Sequence, residues 1–226
     1  MVRRLTREVV SSTAPLPLMI APRGIVPCMM LAPVEKSWTR LERWLEANAP
    51  GNFARLNPPA EPSVIAAAEE ALGREFPEDL RRILLLRNGT NERDQSGKYH
   101  HGAGFLPEFT ALLPAKRIAE IHAMRVEIMQ GLMEDEEQSE EWALGNWWHP
   151  GWLPIADAST GDGLFIDQRC GADHGSVGHF VHDDSARLNI WPSLAAMLHD
   201  VADAVEGVRD VPSLQPRVWE GQFLEW

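Results

Sequence analysis

Four side chains in the second half of the chain have the types that bind metal ions: Cys170, His174, His179 and His182. Thiolate and imidazole are the ligands that zinc prefers in proteins. Successive side chains of a strand alternate between its two faces, so a strand over residues 177–182 would turn His179 and His182 away from each other. We therefore expect no metal site and no cofactor, and we interpret these histidines as solvent-exposed strand and loop residues.

Other polar residues have the types needed for catalysis but lack the required spacing. The segment from Ser159 to Gly163 has neither the glycine spacing nor the lysine of a nucleotide-binding loop, and no serine lies in a Gly-x-Ser-x-Gly motif. Asp157, Asp162 and Asp167 could act as paired carboxylates, but turns and strand ends use aspartate far more often for local hydrogen bonds. We expect no catalytic residues, so a hydrolase or metal-dependent enzyme ranks third among the functions that we consider.

An acidic run occupies residues 134–141, where six of eight residues carry a carboxylate. Such a run is usually a solvated face. Its concentrated charge would also suit docking on the basic cleft of a nuclease or deaminase, and it would speed capture of that partner. The candidate partner-binding residues are these acidic side chains and two nearby tryptophans: Glu134, Asp135, Glu136, Glu137, Glu140, Glu141, Trp147 and Trp148.

The tryptophans at 142, 147, 148 and 152 have two interpretations. They could form a stacking platform for a sugar or base, although buried aromatic packing is commoner. We assign Trp152, at the head of a predicted strand, to the core. The assignment of Trp147 and Trp148 to the core or to a binding surface remains open, because the residues around them are typical of a loop.

The composition restricts the partners and the compartment. Acidic residues number 33 against 21 basic ones, a net charge of −12, so the chain repels phosphate backbones and we expect no nucleic-acid partner. No uninterrupted apolar stretch is long enough for a membrane span, so we also expect no membrane partner. Cys28 and Cys170 form no disulfide framework, which favours a reducing, cytoplasmic location. Nine Trp and seven Phe supply enough apolar surface for a core that needs neither disulfide bonds nor metal sites.

Residues 1–36 are predicted to be a disordered or artefactual N-terminal extension, and residues 37–226 a single domain. Prolines 15, 17, 22 and 27 break any apolar helix in the first part, although its basic start imitates a secretion signal. Met29 or Met30 is an alternative initiator.

Three helices are predicted next, over residues 37–48, 62–72 and 77–87. Ser37 can cap the first. The third is marked at both ends: Pro77 suits the first helical position and Asn88-Gly89 can stop the helix. Leu80 and Ile83 have the spacing of its buried face.

The rest of the chain alternates between loops, strands and helices. Residues 90–104 are a predicted surface loop and a second candidate binding region. Residues 105–113 read as a strand interrupted by Pro107, at an edge or bulge. We predict a helix over 118–132, strands over 152–157, 163–167 and 175–182, a closing helix capped by Ser193, and a hairpin turning at Glu220-Gly221. The fold class is α+β: N-terminal helices packed on a mostly antiparallel sheet, a closing C-terminal helix and a terminal hairpin.

The order of these motifs resembles the SUKH superfamily, which includes the Smi/Knr regulators of fungal cell-wall synthesis and many bacterial immunity proteins. The similarity covers roughly residues 37–226, and it lies in an aliphatic residue before Glu69, then Leu72-Gly73, Pro77, Leu80 and Asn88-Gly89. Further residues fall in the family's order along the chain, and we expect all of these positions to be structural: Trp38, Trp44, Trp152, Asp167 and Ser193.

The resemblance implies a rigid, non-catalytic, protein-binding scaffold. The leading expectation is a bacterial immunity protein that neutralises a cognate toxin by occluding it. The acidic composition adds that this toxin is basic, of the nuclease or deaminase class. The alternative is a regulatory or scaffolding protein of the cell-wall-assembly type.

Overall fold

The computed structural model describes residues 33–93, 96–134 and 147–226, and six α-helices lie within these ranges. They are α1 (Val34–Asn48), α2 (Pro50–Phe53), α3 (Pro62–Leu72), α4 (Glu78–Leu86), α5 (Ala115–Glu134) and α6 (Leu194–Glu206). The Ser193 hydroxyl accepts a hydrogen bond from the Ala196 amide at 3.1 Å, so the predicted cap of the closing helix is confirmed.

Five antiparallel strands form one sheet, and each pairs with the next along the chain. They are β1 (Ala111–Leu112), β2 (Trp152–Asp157), β3 (Gly163–Asp167), β4 (Val177–Phe180) and β5 (Arg187–Trp191). The bounds predicted for β2 and β3 are confirmed. The strand predicted over 105–113 is shorter: a 3-10 turn at Pro107–Phe109 precedes β1, which is an edge strand. Helices followed by an antiparallel sheet and a closing helix confirm the α+β class.

The terminal hairpin consists of β6 (Arg217–Trp219) and β7 (Phe223–Glu225). Residues 220–222 connect them, and the Gln222 amide donates to the Trp219 carbonyl at 3.0 Å. Glu220 and Gly221, the central residues of this turn, have φ angles of 52° and 66°, and a type I′ turn requires positive φ at both positions. The predicted turn is therefore confirmed. Asn52 attaches the hairpin to α2: its Oδ1 accepts from the Leu224 amide at 2.6 Å, and its Nδ2 donates to the Gly102 carbonyl at 2.7 Å.

The sheet packs on two hydrophobic clusters, one against each face. Leu164 and Ile166 of β3 point into the main core with α1, α4 and α6. Phe165, between them, points the other way into an aromatic cluster with Met129, Trp148, Trp152 and Phe180. Arg40 of α1 also forms ion pairs with α6: its guanidinium donates to Asp203 at 2.8 Å and to Glu206 at 2.7 Å.

Two predictions at the start of the domain need correction. Helix α1 begins at Val34, which is 2% exposed, so three residues assigned to the extension belong to this helix. Ser37 does not cap it: the residue lies inside the first turn and is fully buried. Residues 1–32 lie outside the described part of the chain.

Helix α4 is one residue shorter at each end than predicted. Pro77 lies at the N-cap with extended backbone, and Arg87 leaves the helix with φ −148°. Gly89 has the expected left-handed φ of 65°, but it lies beyond the helix end. A Cβ atom there would lie 2.4 Å from the carbonyl carbon of Leu113, so the glycine permits a close chain crossing.

Strand β5 and the loop before β1 also depart from the sequence predictions. No strand was predicted over Arg187–Trp191. The loop at 90–104 is only partly a surface loop, because Glu92 is 6% exposed and Ala103 is fully buried. Among the described residues, no helix is long and apolar enough to cross a membrane.

Candidate functional site

The acidic run begins on the last residue of α5. Glu134 is exposed there. Asp135, Glu136, Glu137, Glu140 and Glu141 lie outside the described residues.

The two candidate tryptophans after the run have different environments. Trp148 is fully buried, so its assignment as a partner-binding residue is wrong: no surface of its ring is available. Trp147 is half-buried, packs edge-on to Phe180 at 5.3 Å and donates its indole N–H to the His182 carbonyl at 2.9 Å. Trp147 therefore keeps some exposed surface. Trp152 lies in the core as expected.

Arg125 of α5 is buried against two rings of this aromatic cluster. Its guanidinium lies 4.8 Å from the centroid of Trp148 and 4.3 Å from that of Phe180. It donates to Asp157 Oδ1 at 2.8 Å and to the Gly161 carbonyl at 3.0 Å. Burial raises the pKa of Asp157 to about 6, although Arg125 opposes the shift, and burial lowers the pKa of Arg125 to about 10. The pair holds the β2–β3 connection against α5.

The other two aspartates also serve local structure, as the sequence suggested. Asp162 Oδ1 accepts from the His182 amide and ring, both at 2.9 Å. These bonds lower the pKa of Asp162 even though its burial acts in the opposite direction, and the bond to Asp162 raises the pKa of His182. Asp167 accepts from the amide of Arg169 at 2.9 Å and from its guanidinium at 2.6 Å.

The metal-ligand candidates do not come together. Cys170 and His174 are exposed, and His182 is paired with Asp162. His179 is 3% exposed, so the expectation of a solvent-exposed histidine was wrong at this position. Within the described ranges, no cluster of three or more histidine, cysteine or acidic side chains could hold a metal ion.

A groove that the sequence did not predict lies beside β5. This cavity of about 320 Å³ lies between the Pro107–Phe109 turn, β5 and Trp226, and its lining includes Glu108 and Arg187. Glu108 and Phe109 have φ angles of 60° and 57°, a left-handed conformation that is uncommon outside glycine. Such backbone outliers concentrate at functional sites. Pro107 was a sequence signal of irregular backbone. The other walls of the groove, β5 and Trp226, lie far along the sequence, so their proximity could not be predicted.

The remaining signature residues connect consecutive helices. Glu69 Oε1 accepts from the Phe76 amide and from Arg81, both at 2.7 Å, and so ties the end of α3 to α4. Gly73 ends α3 with φ 69°. Asn88 Oδ1 accepts from the Ala115 amide at 2.9 Å and fixes the start of α5. Trp38 is 1% exposed and lies in the core, and Trp44 packs against it.

These contacts describe the class of protein: it is an α+β domain in which the signature residues position the backbone and the core. The model of the SMI1 / KNR4 family (SUKH-1) matches residues 59–200. The chain belongs to this family, as the order of motifs indicated. Members of the family are generally regulators or immunity proteins rather than enzymes.

A curated relative comes from Schizosaccharomyces pombe. The chain is 26% identical over 185 residues to its cell wall biosynthesis/cell cycle regulator smi1. The match covers 77% of this chain and 36% of that protein, so the chain spans about a third of the relative's length.

Proposed function

We propose that this protein is a cytoplasmic immunity protein that binds one cognate toxin and neutralises it by occlusion, without catalysis. Membership of the SUKH-1 family carries the proposal, because it indicates a binding domain of the immunity or cell-wall-related type. The net charge of −12 supports a basic toxin of the nuclease or deaminase class.

The acidic run is the proposed surface for capture. Six carboxylates within eight residues concentrate negative charge, which suits docking on a basic cleft and speeds capture of the partner. Trp147, which is half-buried and bonded to the His182 carbonyl, follows the run in the sequence and is proposed to add an apolar contact.

The test first establishes whether the adjacent reading frame encodes a toxin domain and then uses that domain as the partner. Reversing Glu136, Glu137, Glu140 and Glu141 to Lys should slow association, and the wild-type rate should fall with added salt, because charge steering is screened over about 8 Å at physiological ionic strength. Stopped-flow association at several salt concentrations measures both effects.

A matched control carries the same change of net charge elsewhere. Glu46, Glu70, Glu75 and Asp210 are exposed, and their reversal to Lys should slow association much less. Equal effects of the two sets would show that net charge alone acts. No effect of either set, with no response to salt, would rule out the run as the capture surface.

A regulatory or scaffolding role is the second candidate, because the matched relative is named as a cell wall biosynthesis and cell cycle regulator. A tight one-to-one complex with the neighbouring toxin, measured by calorimetry, favours immunity. Failure to bind any toxin domain encoded nearby favours regulation.

A further inference from the structure

The groove beside β5 has aromatic and aliphatic walls. Phe109, Trp191 and Trp226 line it together with Leu164 of β3. Phe109 is 49% exposed, so part of this apolar surface already faces solvent. A cavity of about 320 Å³ has room for one large side chain from a partner.

His179 lies next to this groove with unused hydrogen-bonding capacity. It pairs across the sheet with Leu164 and with Arg187, and both of these neighbours line the groove. The side chain is 3% exposed, and both ring nitrogens are buried without a hydrogen-bond partner. Buried polar atoms are nearly always hydrogen-bonded, so two unpartnered nitrogens on one ring are unusual.

Glu108 is the acidic group closest to His179, and it is loosely held. Its Oε1 lies 3.9 Å from His179 Nδ1 and 3.4 Å from the Arg187 guanidinium, both longer than a strong charged hydrogen bond. Glu108 is 47% exposed along its side chain and Arg187 is 63% exposed. Neither side chain is held by burial, so displacing Glu108 from His179 breaks only these two long contacts.

The ring of His179 is neutral near pH 7. Burial lowers the pKa of His179, and the Arg187 charge acts in the same direction, against the opposing effects of Glu108 and Asp162. A neutral imidazole offers one donor and one acceptor.

We propose that this groove receives a tyrosine side chain of the bound partner, whose ring packs on Trp191 and Trp226 and whose hydroxyl bonds His179 when Glu108 turns aside. The proposal rests on the proposed binding function and names the anchor that the partner supplies. Tyrosine is also among the residues most enriched at the energetic centres of interfaces.

The charges and the histidine together favour a phenol over other anchors. The opposite charges of Glu108 and Arg187 both lie in the lining and offset each other, so they give no net attraction for a lysine, an arginine or a carboxylate. An aliphatic or phenylalanine side chain would fill the groove and contact its walls, but it would leave the His179 ring without a hydrogen-bond partner. A hydroxyl both donates and accepts, so it can bond either tautomer of the ring.

Three small probes test this without the partner: the N-acetyl amides of tyrosine, phenylalanine and arginine. Each is titrated into the full-length protein while the indole N–H signals of Trp191 and Trp226 are followed by NMR. The tyrosine amide should shift these signals and bind about threefold or more tighter than the phenylalanine amide, the factor expected for one hydrogen bond.

Two variants separate the hydrogen bond from shape. His179→Leu should remove the preference for tyrosine over phenylalanine while leaving the protein at least as stable, since it removes unpartnered buried nitrogens. Glu108→Ala should strengthen tyrosine binding, because no carboxylate must then be displaced. His174→Leu, an exposed change outside the groove lining, should alter neither affinity.

Several results would overturn the proposal. These are equal binding of tyrosine and phenylalanine amides by the wild type, a preference that survives His179→Leu, or tightest binding of the arginine amide at the same signals. Should His179→Leu fail to fold, the Glu108→Ala titration still decides, because unchanged or weaker tyrosine binding contradicts displacement of the carboxylate. None of these measurements uses a toxin, so failure of the groove and failure of the immunity function are told apart.

Discussion

Arg125 organises the aromatic cluster through one buried charge. Its guanidinium lies against the rings of Trp148 and Phe180 and donates to Asp157 and Gly161, so helix α5 and the β2–β3 connection share one group. Removing one partner of such a pair leaves an uncompensated buried charge and typically destabilises a protein by about 3–5 kcal/mol. Removing either Arg125 or Asp157 alone should therefore weaken the contact between α5 and the β2–β3 connection.

Asp157 should give the stability of the protein an unusual pH dependence. Its pKa is raised by burial to about 6 in the folded protein, against about 4 when unfolded. The folded state thus holds this proton to higher pH, and the contribution of Asp157 to the free energy of unfolding falls as pH rises from about 4 to about 6. Relative to Asp157→Asn, the wild type should lose stability across this window in urea denaturation.

The control for this measurement is Asp183→Asn, which changes an exposed aspartate. Its stability should follow the wild type across the same pH range. A constant difference between wild type and Asp157→Asn from pH 4 to pH 6 would contradict the raised pKa.

Some contacts of single residues could not be predicted from the sequence. Arg125 lies at helical spacing from Ile118 and Ile121, and all three are buried on one face of α5. The partner of Arg125 lies 32 residues further on, and periodicity carries no information about that distance. The same limit applies to the groove, where Glu108 meets Arg187 across 79 residues.

Helix α4 offers a matched pair of positions for testing burial within one element. Leu80 is fully buried as predicted, whereas Leu85 on the same helix is 41% exposed. Leu80→Ala should destabilise the protein by about 2–5 kcal/mol, through lost burial and the cavity left behind. Leu85→Ala should change stability by less than about 1 kcal/mol. Equilibrium denaturation of both variants checks the difference, and equal losses would contradict the buried face.

The elements that could be predicted are those whose signals are local. Strands β2 and β3 are apolar runs separated by a polar, glycine-containing turn, and the terminal hairpin is marked by Glu220-Gly221. Strand β5 was missed because four of its five residues are exposed and it lacks a buried alternating pattern. It is a strand because β4 supplies hydrogen-bonding partners, and a single sequence does not show that pairing.

For the whole molecule, the boundary of the folded unit is testable by truncation. A chain starting at Met30 should melt within about 2 °C of the full-length protein, because residues before it are proline-rich and aperiodic. A chain starting at Ser37 also loses Val34, a core residue that is 2% exposed, and should melt several degrees lower. Differential scanning calorimetry compares the three. A large loss from the first truncation would mean that the N-terminal residues pack on the domain.

The contact between Asn52 and Leu224 also bears on how the protein acquires its structure. These residues are separated by 172 positions, and the Arg40 pairs with Asp203 and Glu206 span 163 and 166. Closing loops of that length has an entropic penalty before any contact rewards it, so folds rich in distant contacts form slowly. During synthesis, α1 and α2 emerge well before α6 and the hairpin that cover them. Their apolar faces stay exposed through most of translation, and this interval is when the nascent chain is most open to aggregation or chaperone binding.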